Sequence, residues 1–564
     1  MKKSTHFALS AVVLVLVAHV PVTAQAVVGP NIRVNQDTGT AIQVEMIMVA
    51  DPNDPNRVAV SFKDLRPVST KQNGQAWSTD GGLTWKDRKV ALGPQRGSGT
   101  FTGSSDPWMA WWKGGILYDC SLQFGGVGAQ SALFVHRSFD GGATFGPPIN
   151  AVMPSGNEFE DKQALTVDNN VGTTHYGNLF ISWTRFGSGT PIMLVRSTDK
   201  GLTWSAPVQV SDTQSSQQGS IPAVGPNGEV YVAWMGRSSR NQNLLFDRSL
   251  DGGKTWGTDL RIAPYVPWSV PFTGLPTLPA IDVDITKGPH HGTIYVVWAA
   301  RNTGFDADIF LARSTNGGAS WSTSVVNDDG SGRDQFFPNV VVDRAGGVVI
   351  SYASRELDPQ NQTYHIFVRR SVDGGRTFTR SVRLTDQASN PARWSSPTPN
   401  YQNNEYRNVA PGANRYHAVW TDTRLGNPDV YTARFSMDLV PDVSRISAAS
   451  GGTVNFDLAP GPNHGGKAYT LFLSFAGTAP GIQVGGVPIE LNPDLWTVAV
   501  LPFYGTSFFP GFTGVLGGVG TAKASFNAPA GLLQSFIGMK MSLAAVLYAP
   551  ISYATSPAVV EVER

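Results

Sequence analysis

The 564-residue chain has a single cysteine, Cys120. No disulfide framework can form within it, so a packed core or a repeat must hold it together. Charge is also scarce. Only 15% of residues are charged, with 43 Lys and Arg against 42 Asp and Glu, below a usual share of roughly 25%. Without a basic field, neither nucleic acid nor an anionic membrane is an expected partner. Long apolar runs are missing beyond the N-terminus, so no integral membrane segment is expected after it. His-Glu-x-x-His and paired Cys/His patterns are missing too, which leaves no expected metal and no expected cofactor. Cys120 lies in the apolar run GGILYDCSLQF with no histidine nearby in sequence, and reads as a buried, inert thiol.

Glycine (61) and proline (38) are plentiful, and aromatics make up 10%. This composition favours short strands and tight turns. At the N-terminus, Lys2 and Lys3 precede an apolar stretch from Phe7 to Val20, and TAQA offers a cleavage site after Ala26. Residues 1–26 therefore read as a signal peptide, with a mature, secreted or periplasmic chain from Val27. An uncleaved anchor is the alternative, but the stretch is shorter than the roughly 20 residues a spanning helix needs.

One octapeptide recurs: S-x-D-x-G-x-T-W. Its serines are Ser78, Ser138, Ser197, Ser249, Ser314 and Ser371, spaced by 60, 59, 52, 65 and 57 residues. Such a period is the mark of a repeat architecture. The aspartate (Asn316 in one copy) can accept hydrogen bonds from its own turn. The fifth-position glycine can take positive φ, and the closing Trp or Phe can plug the turn into the body of the repeat. Each unit has the same surroundings. EVYVAW and LLFDRS precede the RSLDGGKTW copy, and DLRIAP follows it. That predicts four strands per repeat, as in a propeller blade. A seventh copy, NRYHAVWTDTRLGNPDVYTARFSMD, supplies only three strands, and PNIRVNQD near the N-terminus resembles the missing fourth. Seven blades over 27–440, closed by the N-terminal strand, is the economical expectation. Six blades plus a degenerate segment is the alternative.

These units resemble the Asp boxes, or bacterial neuraminidase repeats, of the sialidase-like propeller superfamily. The resemblance implies an all-β propeller whose boxes join strands three and four, on the rim opposite the ligand face. It implies a glycan or glycoprotein ligand, with a tyrosine, a glutamate and an aspartate as hydrolytic groups and arginines holding an acidic sugar. On the implied ligand face the catalytic candidates are Asp106 in SSDPW, Asp161 in NEFEDKQ, and Glu405 and Tyr406 in NNEYRNV. Substrate-binding candidates are Arg185, Arg237, Arg301, Arg355 and Arg424, which recur blade by blade along with Arg66, then Arg407 in NNEYRNV, and Trp268 and Trp394 on two long aromatic loops. Arginine grips carboxylates bidentately, yet a residue repeated in nearly every blade also serves as a blade-building ion pair, as Asp422 beside Arg424 suggests. The arginine–isoleucine–proline motif of catalytic members has no match; Ile32-Arg33-Val34 lacks the proline. Two functions stay open, a glycan-binding exo-glycosidase and a non-catalytic binding or scaffold propeller.

Beyond Met437 the repeats stop. TVNFDLAP, AYTLFLSFAG, WTVAVLPFYG, KASFNAPAG and AVVEVER read as strands of a C-terminal β-sandwich over 441–564, and LLQSFIGMKMSLAAVLY as a buried strand pair. Oligomeric state is not legible.

Overall fold

The computed structural model describes residues 28–564 apart from 67–70, 127–130, 157, 214–215, 239–240, 266–277, 302–305, 391–405, 407, 413–414, 444 and 549, and apart from the side chains of 237, 238, 241 and 265. The expected signal peptide lies outside the described residues. The chain is nearly all-β. Seven four-stranded antiparallel sheets follow one another between residues 43 and 435. In six of them the four strands are consecutive. The last is built from Val409–Pro411, Tyr416–Asp422 and Asp429–Phe435, and its fourth strand is Ile32–Arg33, where Ile32 pairs with Thr432 and Arg33 with Tyr431.

The first strand of each sheet packs against the first strand of the next, and Val409–Pro411 packs back on Gln43–Ala50. The order therefore closes on itself, with first strands innermost. Because neighbouring sheets cover both faces, these strands are buried without alternation. Every residue of Gln43–Ala50 and of Gly103–Trp112 is buried. Cys120 is buried in the second sheet, and burial pushes its thiol pKa up, as expected for an inert group.

The repeated octapeptides all form one turn. In the RSLDGGKTW copy, Ser249 Oγ donates to Asp251 Oδ1 at 2.7 Å and accepts from Gly253 N at 2.8 Å. Asp251 Oδ1 also accepts from Lys254 N and Thr255 N at 3.0 Å each, and Oδ2 accepts from Thr255 Oγ1 at 2.7 Å. The carboxylate thus satisfies the backbone of its own turn. A second glycine has its own reason. A Cβ on Gly252 (φ 74°) would stand 2.7 Å from the His175 ring of the preceding sheet. His290 meets Gly374 in the same way, so these histidines pack sheet against sheet.

Hydrogen bonding outweighs burial at Asp80, Asp140, Asp199, Asp251 and Asp373 and holds each carboxyl below its ordinary value of 3.8, to about 2 at Asp199. A folded-state value below the unfolded one means stabilisation that is present above pH 3.8 and lost as pH falls towards 2. The thermal midpoint is therefore expected to drop across that window. Calorimetry on the wild type and on Asp199→Asn checks it, and an equal acid slope in both would remove Asp199 from the account.

Two further sheets follow. One contains Leu439–Pro441, Gly452–Leu458 and Ala522–Ala528. The other runs Arg445–Ser447, Ala558–Glu563, Lys540–Tyr548, Ala468–Ser474, Thr513–Val515. They share one core, with Val454 and Phe526 from the first and Leu471, Leu543 and Val560 from the second. Two local expectations fail. The WTVAVLPFYG segment is a short helix, Leu495–Ala499, followed by a 3-10 turn, Leu501–Phe503. Asp494 caps it by accepting from Thr497 N at 2.9 Å, while Thr497 Oγ1 accepts from Asp494 N at 3.0 Å. The LLQSFIGMKMSLAAVLY segment holds one strand, Lys540–Tyr548, after a 3-10 turn at Gln534–Phe536.

Candidate active site at the mouth of the ring

Five of the innermost strands carry a bulge near their start. The register slips between Val44 and Ile47, Ser105 and Trp108, Asp161 and Ala164, Gln218 and Ile221, and Phe336 and Asn339. The second residue of each bulge has positive φ: Glu45 52°, Asp106 49°, Lys162 54°, Gly219 70°, Phe337 52°. At a non-glycine residue that conformation costs about 1–3 kcal/mol, and bulges re-aim side chains beside functional sites. First strands begin where second strands end. The bulges therefore lie at the end of the ring that carries the loops between strands two and three, opposite the repeated turns.

The re-aimed side chains and their neighbours make a continuous polar network across four sheets. Lys63 Nζ donates to Glu45 Oε1 at 2.8 Å. Ser105 Oγ bridges Glu45 Oε2 at 3.2 Å and Asp106 Oδ1 at 2.7 Å. Asp106 and Asp161 are neighbours, and the charge of Asp106 acts on Asp161. Asp106 Oδ2 accepts from Lys162 N at 3.2 Å, and its carbonyl accepts from Gln163 Nε2. Gln218 Nε2 donates to Asp161 Oδ2 at 2.9 Å, and its Oε1 accepts from Thr184 Oγ1 at 2.5 Å. Lys162 Nζ donates to Tyr406 OH at 2.9 Å and stands 4.5 Å from the centre of that ring, whose edge-to-face partner is Trp108 at 5.7 Å.

The two carboxyls are held apart in proton affinity. Burial, then the charge of Asp106, pushes Asp161 up to about 7. Burial also pushes Asp106 upward, but Lys162, Lys63 and the Ser105 hydroxyl outweigh it and hold the group at about 2. Below about pH 7 one proton therefore resides on Asp161, beside an ionised Asp106. Asp161 and Lys162 are half-buried, whereas Asp106 and Tyr406 are 5% and 3% exposed. A partly exposed carboxyl that titrates near 7 can give or take a proton, and carboxyl pairs split in this way mark acid/base sites.

Of the residues expected from sequence, Asp106, Asp161 and Tyr406 come together here. Glu405, Arg407, Trp268 and Trp394 lie outside the described residues, as does the side chain of Arg237, which stands on the strand Val230–Ser238. Tyr406 was expected as a hydrolytic group, but its phenol is buried and receives the Lys162 ammonium. The arginines do not converge. Arg185 grips Glu160 through Nε at 2.9 Å and Nη2 at 2.6 Å, and Trp183 Nε1 also donates to that carboxylate. Arg355 is fully buried against Asp334 at 3.2 Å and over Phe336, and Arg424 bonds Asp422 at 2.8 Å and Asp386 at 2.7 Å. These pairs tie Arg185 and Arg355 to their own sheets, and Arg424 to its own sheet and to Asp386 beyond the strand Val382–Arg383. Arg301 is exposed at the end of the strand Ile294–Arg301. Sequence reasoning missed Glu45, Lys63, Ser105, Lys162 and Gln218. Aligning the first strands of the repeats would have stacked Glu45, Asp106, Lys162, Gly219 and Phe337 in one column. Among the described residues, no group of three or more His, Cys, Asp or Glu is placed to hold a metal ion, and no helix is long and apolar enough to cross a membrane.

No family model matches the chain, and no curated protein matches it. Solved structures similar to it include a protein of unknown function from Dyadobacter fermentans, at 17% identity over 57% of this chain and 93% of that one, TM-score 0.38. The leech intramolecular trans-sialidase is similar at 11% identity over 55% of this chain, TM-score 0.40, and the match spans 64% of the leech chain. The α-L-arabinofuranosidase of Fusarium graminearum is similar at 14% identity over 64% and 99% of the two chains, TM-score 0.37.

Proposed function

We propose that this protein is a secreted, sialidase-like propeller that binds a terminal sugar at the mouth of its ring and hydrolyses the glycosidic bond with Asp161 as proton donor. Seven four-stranded sheets in a closed packing order support seven blades over 27–440, and the core shared by two C-terminal sheets supports a sandwich over 441–564. The observation that carries the catalytic reading is the split carboxyl pair, Asp161 protonated above Asp106 ionised. A neutral sugar is favoured over an acidic one, because Arg185, Arg355 and Arg424 are committed to carboxylates of the ring. A non-catalytic, glycan-binding reading has one observation in its favour. Asp106 is 5% exposed and is held by Ser105 Oγ and Lys162 N, so it is not open to a substrate as the second carboxyl of a glycosidase is.

A panel of fluorogenic neutral and sialylated glycosides separates these readings. Turnover of a neutral glycoside is expected. Saturable binding without turnover of any member would leave the non-catalytic reading standing, and neither binding nor turnover would remove both. Tyr406 is a positioning residue here, since it fixes the Lys162 ammonium. Tyr406→Phe is expected to lower kcat/KM roughly tenfold, about 1.4 kcal/mol. Lys162 pulls the Asp161 pKa down, so its release moves the alkaline limb of the pH profile upward, a shift that a merely structural loss would not give.

A further inference from the structure

The innermost strands end, at the face of the repeated turns, around a cavity of about 620 Å³ on the axis of the ring. This size is ordinary for a small-molecule site. It lies opposite the Asp106–Asp161 network and shares none of its residues. Three cations from three different sheets line it: Lys113, Lys287 and Arg344. Among the described residues none of them makes an ion pair. The two carboxylates in the lining are already used. Asp282 accepts from Val342 N at 2.8 Å and from Val283 N at 2.9 Å, and Asp343 is held by Arg370 at 2.8 Å.

The turns that bear the cations are braced by side-chain amides. Asn53 Nδ2 donates to Lys113 O at 2.7 Å, and Asn169 accepts from Lys113 N at 2.8 Å while donating to Trp111 O at 2.9 Å. Asn463, in the 3-10 turn Pro462–His464 between two C-terminal strands, also lines the cavity and donates to Arg344 O at 3.2 Å. These bonds use backbone groups only, so the ammonium and guanidinium groups remain for a ligand. Burial, then the charge of Arg344, lowers the Lys113 pKa, a repulsion that a bound anion would relieve.

We propose that this axial cavity is a binding site for a small multivalent oxyanion, held by Lys113, Lys287 and Arg344 and edged by the turn Pro462–His464. Recognition is by charge convergence in a preformed concavity, so it weakens with salt. Titration calorimetry of the full chain with inorganic phosphate and, separately, with citrate tests it at low ionic strength. Saturable binding of at least one is expected, and the arm that binds more tightly separates phosphate from carboxylate recognition. Lys113→Ala, Lys287→Ala and Arg344→Gln should each weaken it, and the triple variant by at least about tenfold. These side chains are exposed, so the single variants keep the test open if the triple variant does not fold. Lys540→Ala, at an exposed cation of the C-terminal sheets, should change nothing. No saturable binding of either anion, or unchanged affinity in the single and triple variants, would overturn the proposal.

Discussion

Replacing Asp161 by asparagine is expected to lower kcat on a cleaved neutral glycoside by ~10²–10⁴-fold, the usual worth of a general acid. Asparagine keeps the shape and can still meet Gln218, but it has no acidic proton to give. The pH profile carries the sharper signature. Asp161 titrates near 7 and donates only when protonated, so wild-type activity should fall as pH rises through about 7, and that limb should vanish from the residual activity of the variant. Stability should move the other way. The folded-state pKa of Asp161 lies above its unfolded value of 3.8, so ionising it in place destabilises the fold as pH rises towards and through 7. Asparagine removes that cost, and the variant should melt higher than wild type at pH 8. A variant that loses activity and stability together would make Asp161 a structural residue. One that keeps its activity would remove it from the reaction.

The second large effect is expected at Arg370. Its guanidinium is 2% exposed. It donates through Nε and Nη2 to Asp343 at 2.9 and 2.8 Å, and through Nη1 to the carbonyl of Ala459, which follows the strand Gly452–Leu458. Tyr416 OH donates to the same Asp343 carboxylate. One buried cation thus joins the sixth and seventh sheets to the C-terminal sheets. Arg370→Met fills much of the volume but leaves the buried Asp343 without its cation, with only the Tyr416 phenol and the Ala345 and Gly347 N–H groups as partners. Breaking a buried pair in this way costs about 3–5 kcal/mol. Urea unfolding followed by far-UV circular dichroism checks it. The exposed Arg376→Ala on the same sheet should stay within about 0.5 kcal/mol of wild type. An equally small change at Arg370 would mean that the contact contributes little to joining the two parts.

Much of the architecture was readable because the repeat is local. Serine, aspartate, glycine and an aromatic within eight residues specify a turn whose hydrogen bonds all close within it, as Ser249, Asp251 and Thr255 do. The unpaired strand at PNIRVNQD was readable by subtraction, since the seventh copy lacked one. The candidate site was only half readable. Asp106, Asp161 and Tyr406 stood out as polar residues on the right loops. Their partners Glu45, Lys63 and Lys162 sit inside strand-like runs, where a charged residue looks like a solvated edge. A bulge turns them inward, and a bulge has no strong sequence signal when its second residue is not glycine. The arginines misled for a related reason. Arg185, Arg355 and Arg424 are held in ion pairs within the ring, and the partners Glu160 and Asp334 lie 25 and 21 positions away. The failed strand at WTVAVLPFYG shows the limit of an apolar run, because the Asp494–Thr497 cap decided it.

Arg33 and Asp429 meet at 2.6 Å although 396 positions separate them. Each of the six preceding sheets can assemble from neighbours in sequence as its strands become available. The seventh cannot, because the strand it lacks was made first. The chain must keep Ile32–Arg33 unpaired until the last repeat exists, and closure then carries the largest loop entropy in the molecule. Timing is thus written into the topology: the earliest strand is the last to find its place, and the ring has no finished mouth until it does.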